Sequence, residues 1–291
     1  MQIGSGDEII LAAYDYPGNF RTIELLGARP VLVDVAPDSP CIDPSQLQQA
    51  ASEHVRAVVA THLYGKPAEI ARLRQSCDDR GWILIEDACQ VIGMEIDGRR
   101  AGSFGHFATF SFGGSKLISA GSGGALLVNS DRLAAKLGAL LDRPSDTFPL
   151  APLQAAVIEP QLLRLDEINR IRNETARFLQ QELNPQLTRW RWESDSHENV
   201  HSAYYKVAWT AESNQHRQRI IAASQREGMP IGAGFRTMSG CSARRCRKPV
   251  STIRSDQLSE TLFVLDHRAL LVEPSRHGEL ADSLQRIHEC G

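Results

Sequence analysis

An aspartate and a lysine, each at the end of a short apolar run, are the residues of this chain best suited to chemistry. Asp87 stands in WILIEDACQ, residues 82–90, after four apolar residues and Glu86. Lys116 closes HFATFSFGGSK, residues 106–116, behind a Gly-Gly pair. A carboxylate half-removed from water needs a partner. Taken alone, Asp87 reads as a helix N-cap, for which aspartate is suited. A lysine beside an apolar wall loses part of its preference for the charged form, and a neutral amine attacks carbonyl carbon. Taken alone, Lys116 reads as a surface lysine after a turn that glycines permit. Together the two suit pyridoxal phosphate, whose aldehyde condenses with a lysine while a carboxylate pairs with its pyridinium nitrogen.

Both residues then need strands whose carboxyl ends converge. The first half of the chain supplies them. DEIILAAY, RPVLVDV, VRAVVATHLYG, WILIED, FATFSF and GGALLVN read as strands. NFRTIELLG, closed by Gly27, DPSQLQQAAS, PAEIARLRQSCDDRG and DRLAAKLGALL read as helices. Several strands are continuous apolar runs, the mark of strands covered on both faces. The fold expected is α/β, a mainly parallel sheet flanked by helices, and ligands in such sheets bind beyond the carboxyl ends of the strands. Gly121, Gly123 and Gly124 read as a structural turn. Residues 152–183 turn helical, with Leu165, Ile168, Ile171, Phe178 and Leu179 near one face and Pro160 a kink or break. From about residue 184 a smaller α+β part follows: AYYKVAWT as a strand, NQHRQRIIAASQREG and HGELADSLQRIHEC as helices, and 232–254 as a long loop. The division expected is 1–150, a connecting helix at 151–183, and 184–291.

Composition narrows the class. The chain has 291 residues, 42% hydrophobic and 23% charged, with a formal charge of -3. This is the balance of a globular protein and leaves no electrostatic footprint for nucleic acid. SARRCRK, residues 242–248, is basic but reads as a solvated loop. No apolar stretch has the length of a membrane span, and IILAAY is too short for a signal core. The six cysteines, Cys41, Cys77, Cys89, Cys241, Cys246 and Cys290, show no CxxC spacing. That argues against a metal site and for free thiols in a cytoplasmic protein.

Four stretches in order carry a resemblance: GDEIILAAYDYPGNFRTIELLGARPVLVDV, THLYGKPAEI, IEDACQVIGMEIDGRRAGSFGHFATFSFGGSK and GSGGALLVN. The chain resembles the DegT/DnrJ/EryC1/StrS family of pyridoxal-phosphate-dependent, fold-type-I aminotransferases, densely over 6–129 and thinly after. EDxxQ followed by SFxxxK and a glycine-rich turn is the specific combination. The resemblance implies a Schiff-base lysine at Lys116, which also shuttles the proton of the reaction. It implies a pyridine-nitrogen partner at Asp87, a residue near the ring oxygen at Gln90, a phosphate ligand at Ser111 and a stacking aromatic at Tyr16. His62 would lie near the site, and Cys89 would be a small buried residue where the family has alanine. In the long loop, Phe235, Arg236, Arg244, Arg245 and Arg247 are the expected readers of anionic parts of a substrate; His201, Tyr204 and Tyr205 border that region, the tyrosines packing in a strand.

The activity implied is transfer of an amino group from an amino acid, glutamate, to a nucleotide-linked keto sugar or a keto cyclitol, in polysaccharide or secondary-metabolite biosynthesis. A homodimer with sites at its interface is implied too. Two departures stand against this. The chain opens at the GDEII equivalent, without the family's preceding helical segment and its phosphate-binding helix start. The Gly-Tyr-Asn-x-Arg stretch before LQAA is replaced by SDTFPLAP, with Thr147 and Pro149 at the asparagine and arginine positions. The alternative reading is accordingly a non-catalytic or truncated relative with a scaffold or regulatory role. A sugar dehydratase of the same family would carry histidine at the Lys116 position. A plain nucleotide-binding module would carry a glycine fingerprint that AAYDYPGNF lacks.

Overall fold

The computed structural model describes residues 2–141, 150–193 and 199–291. Thr147 and Pro149 lie outside the described residues. In chain order the first part holds β1 (Glu8–Ala12), α1 (Pro17–Leu25), β2 (Arg29–Val33), α2 (Leu47–Ala50), β3 (Val55–Thr61), α3 (Ile70–Asp78) and β4 (Ile83–Asp87). It continues with β5 (Glu95–Ile96), β6 (Arg99–Arg100), β7 (Phe107–Ser111), β8 (Gly124–Val128) and α4 (Asp131–Leu141). Two helices, α5 (Pro152–Leu163) and α6 (Leu165–Phe178), follow. The last part holds β9 (Trp190–Trp192), β10 (Val200–His201), β11 (Lys206–Ala211), α7 (Asn214–Arg226), β12 (Ile231–Ala233), α8 (Ile253–Thr261), β13 (Leu262–Asp266) and α9 (His277–Cys290).

A six-stranded sheet of order β2-β1-β3-β4-β7-β8 forms the centre of the first part. All its pairings are parallel except β7 with β8. The continuous apolar runs are explained by what covers each face. Ile10, Val31, Val58 and Leu84 pack with Ile70, Leu73 and Cys77 of α3. Their neighbours Ile9, Leu11, Leu32 and Val59 face the other way, onto Phe20 and Ile23 of α1 and onto Met238 and Cys246 of the long loop. Each such buried side chain contributes roughly 1.5–3 kcal/mol. The expected parallel α/β sheet is therefore present, with one antiparallel edge strand.

A second sheet, of order β12-β13-β11-β9, is antiparallel. Trp190, Trp209 and Phe263 pack in its core with Ile220 and Ala223 of α7 and Leu280, Leu284 and Ile287 of α9. The loop expected over 232–254 opens with the short β12 and closes into α8, and between them it is pinned to the first sheet. Arg247 donates to both oxygens of the buried Glu8 carboxylate, at 2.9 and 2.8 Å, and to the Ala50 carbonyl at 2.6 Å. Pro160 lies inside α5, and the helical segment breaks one turn later, at Arg164. The fully buried residues of α6 are Asn169, Arg172, Thr175 and Ala176, polar for the most part. Of the apolar residues the periodicity picks out, Leu179 is buried in the core of the second sheet, with Phe178 packed against it, and Leu165 packs partly buried near Phe112 and Ile118. Among the described residues no helix is long and apolar enough to cross a membrane.

Candidate active site

The parallel strands end together, and the polar residues at their carboxyl ends line a cavity of about 450 Å³. β3 contributes Thr61, β4 contributes Asp87, and β7 contributes Thr109 and Ser111. The register sets Thr61 against Asp87 and Asp87 against Thr109. Tyr16 and Asn19 enter from the start of α1, and Cys89 and Gln90 from the turn after β4. Ser115 and Lys116 come from the β7–β8 connection. The opposite wall is made by Tyr205, Lys206, Gly234 and Phe235. Lys116 and Asp87 thus face one space, as their chemistry requires. The volume suits a small organic molecule.

Asp87 is 6% exposed. Its Oδ1 accepts the Cys89 N–H at 3.0 Å, a turn bond two residues on; no helix starts directly after β4, so Asp87 is not the helix N-cap that its type alone suggests. Its Oδ2 accepts from Asn19 Nδ2 at 2.9 Å. Thr61 Oγ1 lies 3.4 Å from the same Asn19 amide and 3.0 Å from Asp15 Oδ2. Burial, with the neighbouring Asp87 adding to it, pushes the Asp15 carboxyl up to about 8.

Lys116 projects from a connection whose turn is made by Gly121 and Gly123, at φ +80° and +103°, conformations that favour glycine. Gly113 and Gly114 adopt no such φ, so the pair before the lysine is not the strained element. No hydrogen bond reaches Lys116 Nζ among the described residues; the amine lies 4.7 Å from the centroid of the Tyr205 ring. Burial lowers its affinity for a proton, against the opposing effect of Asp87. Tyr205 is fixed in turn. Its hydroxyl is 2.9 Å from Ser115 Oγ, and its ring stacks on His267 at 5.6 Å. His267 Nδ1 accepts from the buried Arg172, so Nε2 carries the proton and donates to the Ser115 carbonyl at 3.1 Å.

Gln90 is buried, and its Oε1 has no partner among the described residues. An orphaned acceptor on a cavity wall is a feature that a ligand hydroxyl would complete. Tyr16 is 53% exposed and lies 6.1 Å from the Phe235 ring. Phe235 is held by its N–H, which donates to Tyr14 Oη at 3.1 Å. Residue 234 must be glycine for this approach, because a Cβ there would fall 2.2 Å from that oxygen.

Other expected residues lie elsewhere. His62 is fully buried and outside the cavity. Its Nδ1 accepts the Ala68 N–H, and its Nε2 donates to Glu86 at 3.0 Å. Glu86 also accepts from the N–H groups of Gly102, Phe104 and Gly105. Arg236 and Arg244 are exposed and do not line the cavity. Arg245 pairs with Glu24, and Arg247 with Glu8. His201 lies in β10, away from the cavity, and Tyr204 packs in the core of the second sheet. Cys89, expected as a buried alanine substitute, lines the cavity. The residues that sequence reasoning passed over are Asn19, Thr61, Thr109, Ser115 and Lys206. Tyr205 was expected in a strand core, and the Tyr-Tyr pair held the contrary signal. Alternation at a strand entry sends adjacent side chains to opposite faces.

An amine with no hydrogen-bond partner among the described residues and a carboxylate thus face one cavity at the carboxyl ends of parallel strands in an α/β fold. The model of the DegT/DnrJ/EryC1/StrS aminotransferase family matches residues 1–274, and the chain belongs to that family of pyridoxal-phosphate-dependent aminotransferases. The L-glutamine:2-deoxy-scyllo-inosose aminotransferase of Streptoalloteichus tenebrarius is 36% identical over 213 residues, 64% of this chain and 50% of the relative. The GDP-perosamine synthase of Vibrio cholerae is 32% identical over 193 residues, 62% of this chain and 53% of the relative. The chain thus spans about half the length of the curated relatives it matches. The crystal structure of 3-amino-5-hydroxybenzoic acid synthase superposes with a TM-score of 0.85 at 24% identity, covering 99% of this chain and 81% of that one. That likeness concerns the fold.

Proposed function

We propose that this chain binds pyridoxal phosphate and transfers an amino group from an amino acid such as glutamate to a keto sugar, nucleotide-linked, or a keto cyclitol. The observation that carries the reading is the convergence of Lys116 and Asp87 on one cavity. The lining fits the cofactor. Asp87 Oδ2 would accept a hydrogen bond from the ring nitrogen and hold it protonated. The orphaned Gln90 Oε1 would accept from the ring hydroxyl. Ser111 would donate its hydroxyl to the phosphate, and Tyr16 would cover a face of the ring.

When bound, the cofactor supplies an electrophilic carbonyl and a ring that withdraws electrons from the reacting carbon. The protein's own groups do the rest. Lys116, disfavoured as an ammonium by burial, is available as the nucleophile that holds the carbonyl and then as the base and acid that moves one proton. Asn19 keeps Asp87 from turning away from the cavity. The Arg172–His267–Ser115 chain fixes the backbone carbonyl next to the lysine. A second copy of the chain is proposed as partner. Leu153, Val157 and Leu163 of α5 are large apolar side chains left exposed, the kind of surface that marks an interface.

The test is absorbance of the purified protein on addition of pyridoxal phosphate. The reading expects a yellow band that glutamate bleaches and that Lys116→Ala abolishes. A protein that develops no band, or a band that survives Lys116→Ala, would sink it. A Lys116-dependent band that no amino donor bleaches would favour a non-catalytic role.

A further inference from the structure

Lys206 is a second amine in the same cavity, and the aminotransferase reading leaves it without a task. It opens β11, lines the cavity beside Lys116, and its Nζ lies 5.3 Å from the centroid of the same Tyr205 ring. Two lysines therefore share one aromatic ring. The residue across the strand ladder is Asp266, which would be the natural counter-ion. One oxygen of that carboxylate is turned to another cation: Oδ1 accepts from Arg268 Nε at 2.7 Å and caps the Arg268 N–H at 3.2 Å. Among the described residues no carboxylate lies within ion-pair distance of Lys206, and no acceptor hydrogen-bonds its Nζ. A partly buried ammonium with no counter-ion in contact is costly. Burial weakens its hold on its proton; the Asp266 carboxylate opposes that at a distance, and Lys116 and Arg268 add to it. What would settle this amine is an anion entering from the cavity.

We propose that Lys206 is an oxyanion anchor, binding anionic oxygens of the molecule that reacts at Lys116. The inference rests on the aminotransferase reading for the identity of that molecule, and two parts of it have the right chemistry. One is the phosphate of the cofactor; the other is the carboxylate of the amino donor, which is attached to the carbon whose proton Lys116 moves. An ammonium is a compact charge with three donors and suits either group. Its location beside the reacting amine, and not on the exposed basic stretch at 242–248, also accounts for why Arg236 and Arg244 can stay outside the cavity.

The experiment uses Lys206→Met and Lys206→Arg beside the parent, with urea unfolding to confirm that each variant is folded. Calorimetry with inorganic phosphate and with glutarate reads anion binding to the protein without cofactor. Pyridoxal phosphate against pyridoxal, followed by absorbance, reads the phosphate arm. Bleaching by glutamate against its α-amide, isoglutamine, reads the carboxylate arm. Loss of a charge-assisted hydrogen bond corresponds to about a ten- to hundredfold drop in preference for the charged member of a pair. We expect Lys206→Met to show that drop in one arm, naming the source, with a matching loss of phosphate or glutarate binding, and Lys206→Arg to retain most of it. If Lys206→Met keeps both preferences and both calorimetric signals, the proposal is overturned while the aminotransferase reading stands. If the parent captures no pyridoxal phosphate, that reading fails, and the calorimetric arm alone decides the fate of the anchor.

Discussion

Asp15 and Asp87 are tied into one hydrogen-bonded chain, Asp15–Thr61–Asn19–Asp87, that crosses the carboxyl ends of β1, β3 and β4. Both carboxyl groups are buried, and among the described residues no cation pairs with either. The cost falls on Asp15, whose carboxyl is pushed up to about 8 by burial and then by Asp87.

The sign of the pH effect follows. A carboxyl that ionises near 3.8 when unfolded and near 8 when folded keeps its proton longer in the native state. Its stabilising contribution is complete below the unfolded value and is lost as pH rises through the folded one. The protein without cofactor should lose on the order of a few kcal/mol between about pH 4 and pH 8 from this group. Asp15→Asn should flatten that slope. Urea midpoints across the range check it; an unchanged slope in the variant would remove Asp15 as its source.

Glu86 has the opposite dependence. Burial raises its carboxyl, but the His62 hydrogen bond and the backbone N–H groups of Gly102 and Gly105 outweigh that and hold it below its ordinary 4.5. Its contribution is present above 4.5 and fades as pH falls through the lower folded value. Glu86→Ala strands three backbone N–H groups and His62 in a buried site, at a cost of about 3–5 kcal/mol. Chemical denaturation at neutral pH measures the loss, and a change below about 1 kcal/mol would show the site to be wetter than described.

Arg247 clamps the long loop to the sheet edge through Glu8 and the Ala50 carbonyl. Arg247→Ala should cost roughly 1.5–3 kcal/mol. It should also expose 234–252 to proteolysis in otherwise native protein. Mapping of cleavage sites by mass spectrometry distinguishes loop release from general unfolding.

The lowered proton affinity of Lys116 makes capture of pyridoxal phosphate pH-dependent. The reactive amine is the neutral one, so the capture rate should climb about tenfold per pH unit until the lysine's folded value is reached. That plateau should come below the ordinary 10.5. Stopped-flow absorbance across pH reads it, and a plateau above 10.5 would contradict the burial argument.

The exposed leucines of α5 lead to a measurement of assembly. Leu153→Glu with Leu163→Glu should weaken self-association by more than about tenfold, because charge is excluded from the centre of such interfaces. Sedimentation velocity over a concentration series decides; a monomeric parent would remove the premise.

Much of this was legible in the residues themselves. The strands were visible as uninterrupted apolar runs because both faces of the sheet are covered, and Asp87, Ser111 and Lys116 stood out as polar residues closing those runs. Gln90 and Tyr16 came only with the family's motif. What stayed hidden depends on distant partners. Asn19 and Thr61 are ordinary surface types until Asp87 comes beside them. Asn169 and Arg172 are buried in α6, and a search for apolar periodicity finds Leu165, Phe178 and Leu179 but misses buried polar groups that satisfy one another. His62 shows the reverse error, since a histidine near a strand end also suits a structural pair, and here it makes one with Glu86.

Tyr14 and Phe235 meet across 221 positions of chain, and Phe235 helps close the cavity opposite Lys116. A ribosome that has delivered every strand of the first sheet has therefore made only half a vessel. The nascent protein holds a reactive amine in an open trough until its last third emerges. Aldehydes met before that segment folds find no fitted chamber, and selectivity for the right one begins when Phe235 takes its place on the cavity wall.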